Sequence, residues 1–255
     1  MENFKDKFNL TRNQNLFLAK KEIVSSIYNA TKLEGCNTSF IQIEKILKGI
    51  NDINVSVDDI RIILNLQSAW QFILKNLDKK LTLELICKVN ENVSRGESLD
   101  WGVLRYGEGR VHLYDGSRFT PEPVIKEEVL KRLEEIKKIE SVTERAIRYY
   151  LWATRSQLFW DGNKRTSSLV ANFILIKEGK GIFNIQEKNL DEFVKRLSDF
   201  YVTNDETKID RFLYENCITG LYIDKKLEEE YTKDFKKNSW TEKISNEKSN
   251  ELEKD

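Results

Sequence analysis

The chain has 255 residues, enough for one large domain or two modest ones with a substantial hydrophobic core. Lys and Arg together number 42, as do Asp and Glu, so the formal net charge is zero and no nucleic-acid partner is expected, because such proteins usually carry a basic excess. No run approaches the roughly 20 apolar residues that span a membrane, and the polar N-terminus lacks the apolar stretch of a signal peptide, so the sequence predicts a cytoplasmic protein without a membrane partner.

The first third of the chain has apolar residues at helical spacing. The predicted helices here cover residues 14–33, 39–47, 58–77 and 81–93. Asp58 is expected to cap the third of them. A boundary is expected near residues 78–81, between an N-terminal helical region (1–80) and the main domain (81–222).

The pattern changes at residues 94–123, where glycines concentrate and both prolines of the chain occur. Two short runs, 103–106 and 110–114, are separated by Gly107-Glu108-Gly109. Such spacing predicts a β-hairpin. It is expected to be the only sheet of the protein.

The second half of the chain again shows helical spacing. The predicted helices cover residues 126–138, 141–159, 164–177, 190–201 and 208–222. Ser141 and Glu144 have the spacing of a capping box at the start of the second of these. Residues 223–255 are dense in Lys and Glu and are expected to form an exposed helix that ends in a disordered tail.

A polar turn between two strongly apolar helices, at residues 160–165, is the most informative local feature. Asp161, Gly162 and Asn163 precede a helix whose unpaired backbone N–H groups favour an anion, and Gly162 permits a close approach. Lys164 and Arg165 add positive charge there, and Asp161 could hold Mg²⁺ beside a phosphate. The composition predicts a nucleotide-phosphate site, although an ordinary capped helix start has the same residue types.

The string Gln157-Leu158-Phe159-Trp160-Asp161-Gly162-Asn163-Lys164-Arg165 resembles the Fic motif, H-P-F-x-(D/E)-G-N-(G/K)-R. The resemblance implies a mainly α fold, a Fic-type (Fido) helical core with one β-hairpin flap. Its implied activity is transfer of AMP from ATP to a hydroxyl of a target protein, with ATP and Mg²⁺ as cofactors. It implies metal binding by Asp161, phosphate contacts from residues 162–165, and catalytic positions at Gln157, Asp161 and Asn163.

Two other segments resemble parts of the same family. Residues 102–123 are similar to the flap, which implies that a target protein docks at residues 103–119 by strand addition. Residues 30–35 are similar to the inhibitory motif (S/T)-x-x-x-E-(G/N), with Glu34 and Gly35 matching and Ala30 in the Ser/Thr position. The following helix, with Asn65 and Ala69, is also similar to the N-terminal region of such proteins.

Two residues depart from the family pattern. Gln157 occupies the position of the catalytic histidine, and an amide has no comparable basic site. Ser168 replaces a second arginine, which leaves Glu34 without its usual partner unless Lys164 or Arg165 serves instead. The single histidine, His112, lies in the predicted hairpin, where a structural or exposed role is the ordinary expectation.

These departures leave several functions open. One is a weakened AMP-transferase, and a second is an inactive Fic scaffold that binds a nucleotide or a protein. A Doc-like phosphotransferase is a third, because Lys164 also occurs in relatives that transfer phosphate. A helical interaction protein without a nucleotide site is the last, and the sequence leaves homo-oligomerisation open.

Overall fold

The chain is described by a computed structural model that covers residues 3–50 and 54–237. They divide into two compact units, one ending at Leu221 and one beginning at Tyr222. The first unit is mainly α, as expected from the sequence, and also contains short antiparallel strand pairs. Its elements are α1 (Arg12–Leu33), α2 (Phe40–Leu47), α3 (Val57–Lys75), α4 (Leu83–Val93), β1 (Val111–His112), β2 (Arg118–Phe119), α5 (Lys126–Lys137), α6 (Val142–Ser156), α7 (Asn163–Lys177), β3 (Ile182–Phe183), α8 (Leu190–Thr203), α9 (Thr207–Asn216) and β4 (Ile218–Thr219).

Several helices begin at a Ser or Thr whose hydroxyl accepts a hydrogen bond from a backbone N–H of the first turn. Ser141 caps α6 in this way by accepting from the N–H of Glu144 at 3.2 Å. The expected cap of α3 was wrong. Ser56 caps it, whereas Asp58 lies in the first turn and pairs with Arg61 at 2.8 Å.

The core centres on α6 and α7, which pack along each other's length. Tyr149, Tyr150 and Phe173 are among the largest fully buried side chains. The helices α1, α3 and α4 also pack against α7, so the N-terminal helices share one hydrophobic core with the later ones. The boundary expected near residue 80 falls in the connection between α3 and α4, within this unit.

The hairpin forms further along the chain than the sequence predicts. Strands β1 and β2 pair antiparallel, with Val111 opposite Phe119, and their turn contains Gly116 in the left-handed region at φ 82°. The expected strand at 103–106 was wrong, because that segment attaches to the turn between α6 and α7 instead. Its buried Arg105 donates a backbone hydrogen bond to the carbonyl of Leu158 at 2.8 Å.

A second strand pair packs against α7 through β3, so the expectation of a single sheet was also wrong. Strand β3 pairs antiparallel with β4, with Phe183 opposite Ile218. Both side chains are buried, and this pairing ends α9 at Asn216 rather than at residue 222. Short buried pairs of this kind give too few residues for a strand pattern to be detected.

The second unit contains α10 (Lys225–Lys237). The carboxylate of Asp224 accepts a hydrogen bond from the N–H of Lys226 at 2.9 Å at its start. The rest of the expected charged tail, residues 238–255, lies outside the described residues. Within the described ranges, no helix combines the length and apolar character needed to cross a membrane.

Candidate functional site

The turn between α6 and α7, residues 157–162, has left-handed backbone at both ends. Gln157 ends α6 with φ 47° and ψ 59°, and Gly162 precedes α7 with φ 69°. This conformation is routine for glycine but costs another residue about 1–2 kcal/mol. Strained non-glycine residues cluster at functional sites, so the backbone of Gln157 favours a functional role for this turn.

Side-chain amides hold the turn closed. Asn163 accepts from the N–H of Phe159 at 2.9 Å, and its Nδ2 donates to the Phe159 carbonyl at 2.8 Å and to Oε1 of Gln157 at 3.0 Å. Nε2 of Gln157 donates to the carbonyl of Thr154 at 2.8 Å and to the Tyr201 hydroxyl at 3.1 Å. The side-chain polar atoms of Gln157 and Asn163 are therefore engaged in hydrogen bonds that hold the turn in its conformation. Phe159 is buried beneath it.

The helix α4 supports the turn from below. A Cβ on Gly162 would lie 2.3 Å from Oγ of Ser94 and 2.7 Å from Cγ1 of Val93, so only glycine fits there without displacement. The carbonyl of Asp161 accepts hydrogen bonds from Oγ of Ser94 and from Nδ2 of Asn90, both at 3.0 Å. These contacts hold the turn against the C-terminal end of α4.

Asn90 is a central residue that the sequence reasoning missed. It is fully buried, and its Nδ2 also donates to Oγ1 of Thr166 on α7 at 3.1 Å. Its Oδ1 accepts from the N–H of Gly102, at the start of the hairpin segment, at 2.8 Å. One side chain thus joins α4, the turn, α7 and the hairpin segment. A polar residue within the apolar stripe of α4 was the signal in the sequence.

Arg165 is buried beneath the turn among carboxylates, with 3% of its side chain exposed. Its guanidinium lies 2.7 Å from Oε2 of Glu97 and 3.4 Å from Oδ1 of Asp161. Burial alone would lower the pKa of Arg165, but the carboxylates of Glu34 and Glu97 raise it above its ordinary value. The guanidinium therefore stays charged. Because it is already paired with carboxylates, direct phosphate contact by Arg165 stays a prediction.

Glu97, also missed from the sequence, links this arginine to the N-terminal helices. Its Oε1 accepts from Nδ2 of Asn65 on α3 at 2.7 Å, while its Oε2 faces Arg165. The helix whose sequence is similar around Asn65 therefore contacts the ion pair between Glu97 and Arg165.

Glu34 reaches the same place from the end of α1. Its Oε1 lies 3.6 Å from Nζ of Lys164 and 3.8 Å from Nε of Arg165, and 19% of its side chain is exposed. Gly35 follows in the left-handed region at φ 81°. The carboxylate therefore has cationic partners although Ser168 replaces the expected arginine. Ser168 lines a small cavity of about 40 Å³ beside these residues.

A cavity of about 390 Å³ opens above the turn. Its volume is within the range of about 300–1,000 Å³ typical of ligand pockets. The lining combines both predicted regions, the turn and the hairpin, with Glu34: Glu34, Arg110, Val111, His112, Gln157, Trp160, Asp161, Gly162, Asn163, Lys164 and Tyr201. Arg165 is not among the lining residues.

The hairpin that lines this cavity is held in place by contacts of Phe119 and Tyr114. Phe119 packs on Tyr201 with ring centroids 5.1 Å apart, and the guanidinium of Arg155 lies 5.0 Å from the Phe119 ring. The N–H of Tyr114 donates to Oγ of Ser198 at 2.8 Å. These contacts hold β1 and β2 against α8, so the cavity has a defined roof.

The acidic residues suit a magnesium ion that arrives with a phosphate. Asp161 has 47% of its side chain exposed at the cavity, and its Oδ1 accepts from the N–H of Gly162. Within residues 3–50 and 54–237, no cluster of three or more His, Cys, Asp or Glu side chains forms a metal cage. Mg²⁺ is commonly held by one or two carboxylates together with substrate phosphates, and Asp161 fits that arrangement.

Comparison with solved structures identifies the fold. The chain superposes on Fic-1 (residues 134–508) of C. elegans with a TM-score of 0.67, at 18% identity over 80% of this chain and 62% of the other. For a Fic-domain-containing signalling protein of Bacteroides thetaiotaomicron the score is 0.66, at 21% identity over 81% and 86%. For a Fic family protein of Desulfovibrio desulfuricans it is 0.66, at 13% identity over 80% and 64%.

These similarities show that the chain has a Fic-type fold, as its motif predicts. The chain spans less than two thirds of the length of the C. elegans and Desulfovibrio chains. No protein-family model matches its sequence, and no curated protein sequence matches it.

Proposed function

We propose that the chain is a protein AMP-transferase of the Fic type, which moves AMP from ATP to a hydroxyl of a target protein. The observation that carries this proposal is the shared cavity, where Asp161, Gly162 and Lys164 face Arg110 and His112 of the hairpin. A helix N-terminus with an adjacent lysine suits the phosphates. The fold supports the same reading by analogy.

In this proposal the chain binds ATP through the start of α7. The first backbone N–H groups of α7 and the ammonium of Lys164 contact phosphate oxygens, and the carboxylate of Asp161 holds Mg²⁺ beside them. Mg²⁺, when bound, would neutralise charge on the phosphate oxygens. The buried Arg165 keeps Asp161 and the turn in place through its ion pairs.

The target protein is proposed to dock along residues 103–119. A two-stranded hairpin leaves an edge to which an extended segment can add. Exposed aromatic and aliphatic side chains flank this edge, among them Val103, Tyr106 and Tyr114. A target hydroxyl held there would face the cavity below the hairpin.

Glu34 is proposed to restrain the reaction. Its carboxylate lies 3.6 Å from Lys164, the same ammonium that is proposed to bind phosphate. The carboxylate of Glu34 and a phosphate compete for the ammonium of Lys164. Phosphate binding is therefore strongest when Glu34 moves away from that ammonium. The restraint rests on charge, because Ser168 offers no cation.

A second candidate is a nucleotide-binding regulator without transfer activity. The amide of Gln157 favours it, since both ends of that side chain are hydrogen-bonded and neither is basic. This candidate predicts that Mg-ATP binds but that no AMP is transferred.

The test is incubation of the purified chain, alone and with a cell lysate, with ATP labelled at the α-phosphate. AMP transfer predicts covalent label on protein that is lost in Asp161→Ala, which removes the proposed metal ligand. Label at the γ-phosphate but not the α-phosphate would instead indicate phosphate transfer. Absence of any label above Asp161→Ala, for wild type and for Gln157→His alike, would contradict the proposal.

A further inference from the structure

The proposed transfer requires a group that accepts the proton of the target hydroxyl, and Gln157 does not supply it. Its Nε2 donates to Thr154 and Tyr201, and its Oε1 accepts from Asn163. An amide is not basic near neutral pH even when its atoms are free. The acceptor must therefore come from elsewhere in the cavity.

The other carboxylates and the tyrosine of the cavity are poor candidates. Glu34 lies against two cations, and Asp161 accepts from Gly162 and pairs with Arg165. Burial raises the pKa of Tyr201, so its hydroxyl stays protonated, and it donates to the carbonyl of Thr154 at 3.3 Å. The cationic Arg110 and Lys164 carry no lone pair that could accept a proton.

His112 is the remaining titratable side chain of the lining, and an imidazole is the side chain most often used as a general base. Its side chain is exposed and takes part in no hydrogen bond within the described part of the chain, so its ring nitrogens are available. It is also the one histidine of the sequence.

The position of His112 is fixed by the hairpin. It lies in β1 opposite Arg118 of β2, and the next residue, Leu113, is buried. The contacts of Phe119 and Tyr114 with α8 hold the same hairpin over the cavity. The imidazole therefore lines the cavity from the hairpin, the segment along which the target is proposed to dock.

We infer that His112 accepts the proton of the target hydroxyl, an inference that rests on the proposed AMP transfer. The hydroxyl oxygen attacks the α-phosphorus of ATP and forms the new P–O bond. The bond from that phosphorus to the bridging oxygen breaks, and pyrophosphate leaves with its electron pair. The hydroxyl proton moves to an unprotonated ring nitrogen of His112, and the resulting imidazolium returns it to water after release.

The experiment compares single-turnover transfer of α-labelled AMP by wild type, His112→Gln and Lys131→Ala, with label on the chain itself and on protein of an added cell lysate as the readout. His112→Gln keeps a polar side chain of similar size but removes the base, so the rate should fall about 10²–10⁴-fold. Lys131 is exposed on α5 and does not line the cavity, so the rate of Lys131→Ala should stay near that of wild type. Mg-ATP affinity, measured by calorimetry, should be the same in all three.

The double variant Gln157→His/His112→Gln separates catalysis from hairpin structure. A histidine at position 157 supplies a base from the other side of the cavity, so it should restore transfer that His112→Gln has lost. Equal rates for wild type and His112→Gln would overturn the inference while leaving AMP transfer intact. Label with Gln157→His but none with wild type would overturn it as well, and no label with either would contradict the proposed function and the inference together.

Discussion

Oε1 of Glu34 lies 3.6 Å from Nζ of Lys164, so the end of the first helix meets the start of the helix that is proposed to bind phosphate. These residues are 130 positions apart in the sequence. The contact makes the N-terminal region part of the candidate site rather than a separate attachment.

Removing the charge of Glu34 should strengthen nucleotide binding. In Glu34→Gln the ammonium of Lys164 is no longer shared with a carboxylate, and partly exposed pairs of this kind are worth up to about 1 kcal/mol. Mg-ATP affinity should therefore rise by up to about fivefold, since ~1.4 kcal/mol corresponds to tenfold. Titration calorimetry measures the change.

Glu22→Gln is the matched control, because Glu22 lies on the same helix and does not line the cavity. It should bind Mg-ATP as wild type does. If both variants bind alike, the proposed restraint by Glu34 is wrong.

A side chain at Gly162 should disrupt the turn. In Gly162→Ala the new Cβ must displace Ser94 and Val93, in addition to the backbone cost of φ 69°. Gly49→Ala carries a similar backbone cost at φ 78° but meets no atom within 4 Å. Urea denaturation should show a loss of about 1–2 kcal/mol for Gly49→Ala and a clearly larger loss for Gly162→Ala.

Binding should separate the two glycine variants further. Mg-ATP should raise the midpoint of thermal unfolding of Gly49→Ala but not that of Gly162→Ala, because a ligand stabilises only a protein that binds it. Equal destabilisation and equal ligand response would show that the turn tolerates a Cβ.

Asn90 should be essential for the arrangement of the site. Its replacement in Asn90→Ala leaves the N–H of Gly102 and the hydroxyl of Thr166 without this buried partner. Each such unsatisfied group costs about 1–3 kcal/mol. Asn92→Ala, on the same helix, removes one exposed hydrogen bond and should change the free energy of unfolding little.

The two variants can be compared by chemical denaturation at equal protein concentration. Stability losses of similar size would mean that the Asn90 network does not hold the turn. A large loss for Asn90→Ala with Mg-ATP binding intact would mean that it supports the fold but not the site.

The helical fold was readable from the sequence because long apolar periodicities and Ser or Thr caps specify helices locally. The motif at 157–165 also predicted the fold. In the structure this motif forms the turn between two buried helices and the start of the second one. The strands were harder to predict. Each has two residues, and β3 pairs with β4 across 35 positions of sequence, so neither has a local pattern.

Only those site residues that stand out by the local composition of the chain were predictable. Asp161, Gly162 and Lys164 stood out as a charged, flexible turn, and all line the cavity. Asn90 and Glu97 act through long-range hydrogen bonds and ion pairs. The place of Asn90 in the apolar stripe of α4 marks it as unusual, but no spacing in one sequence reveals the partners of either residue. His112 had an ordinary structural interpretation until the hairpin placed it on the cavity that contains Gln157.

The most direct test of the account is a calorimetric titration of Mg-ATP into wild type and Lys164→Ala, with Lys131→Ala as a control from the exposed face of α5. Wild type and Lys131→Ala should bind with the same affinity, and Lys164→Ala should bind more weakly, because it lacks the ammonium beside the start of α7. Absence of Mg-ATP binding by wild type, or equal affinity in all three proteins, would contradict the assignment of this turn as a nucleotide-phosphate site.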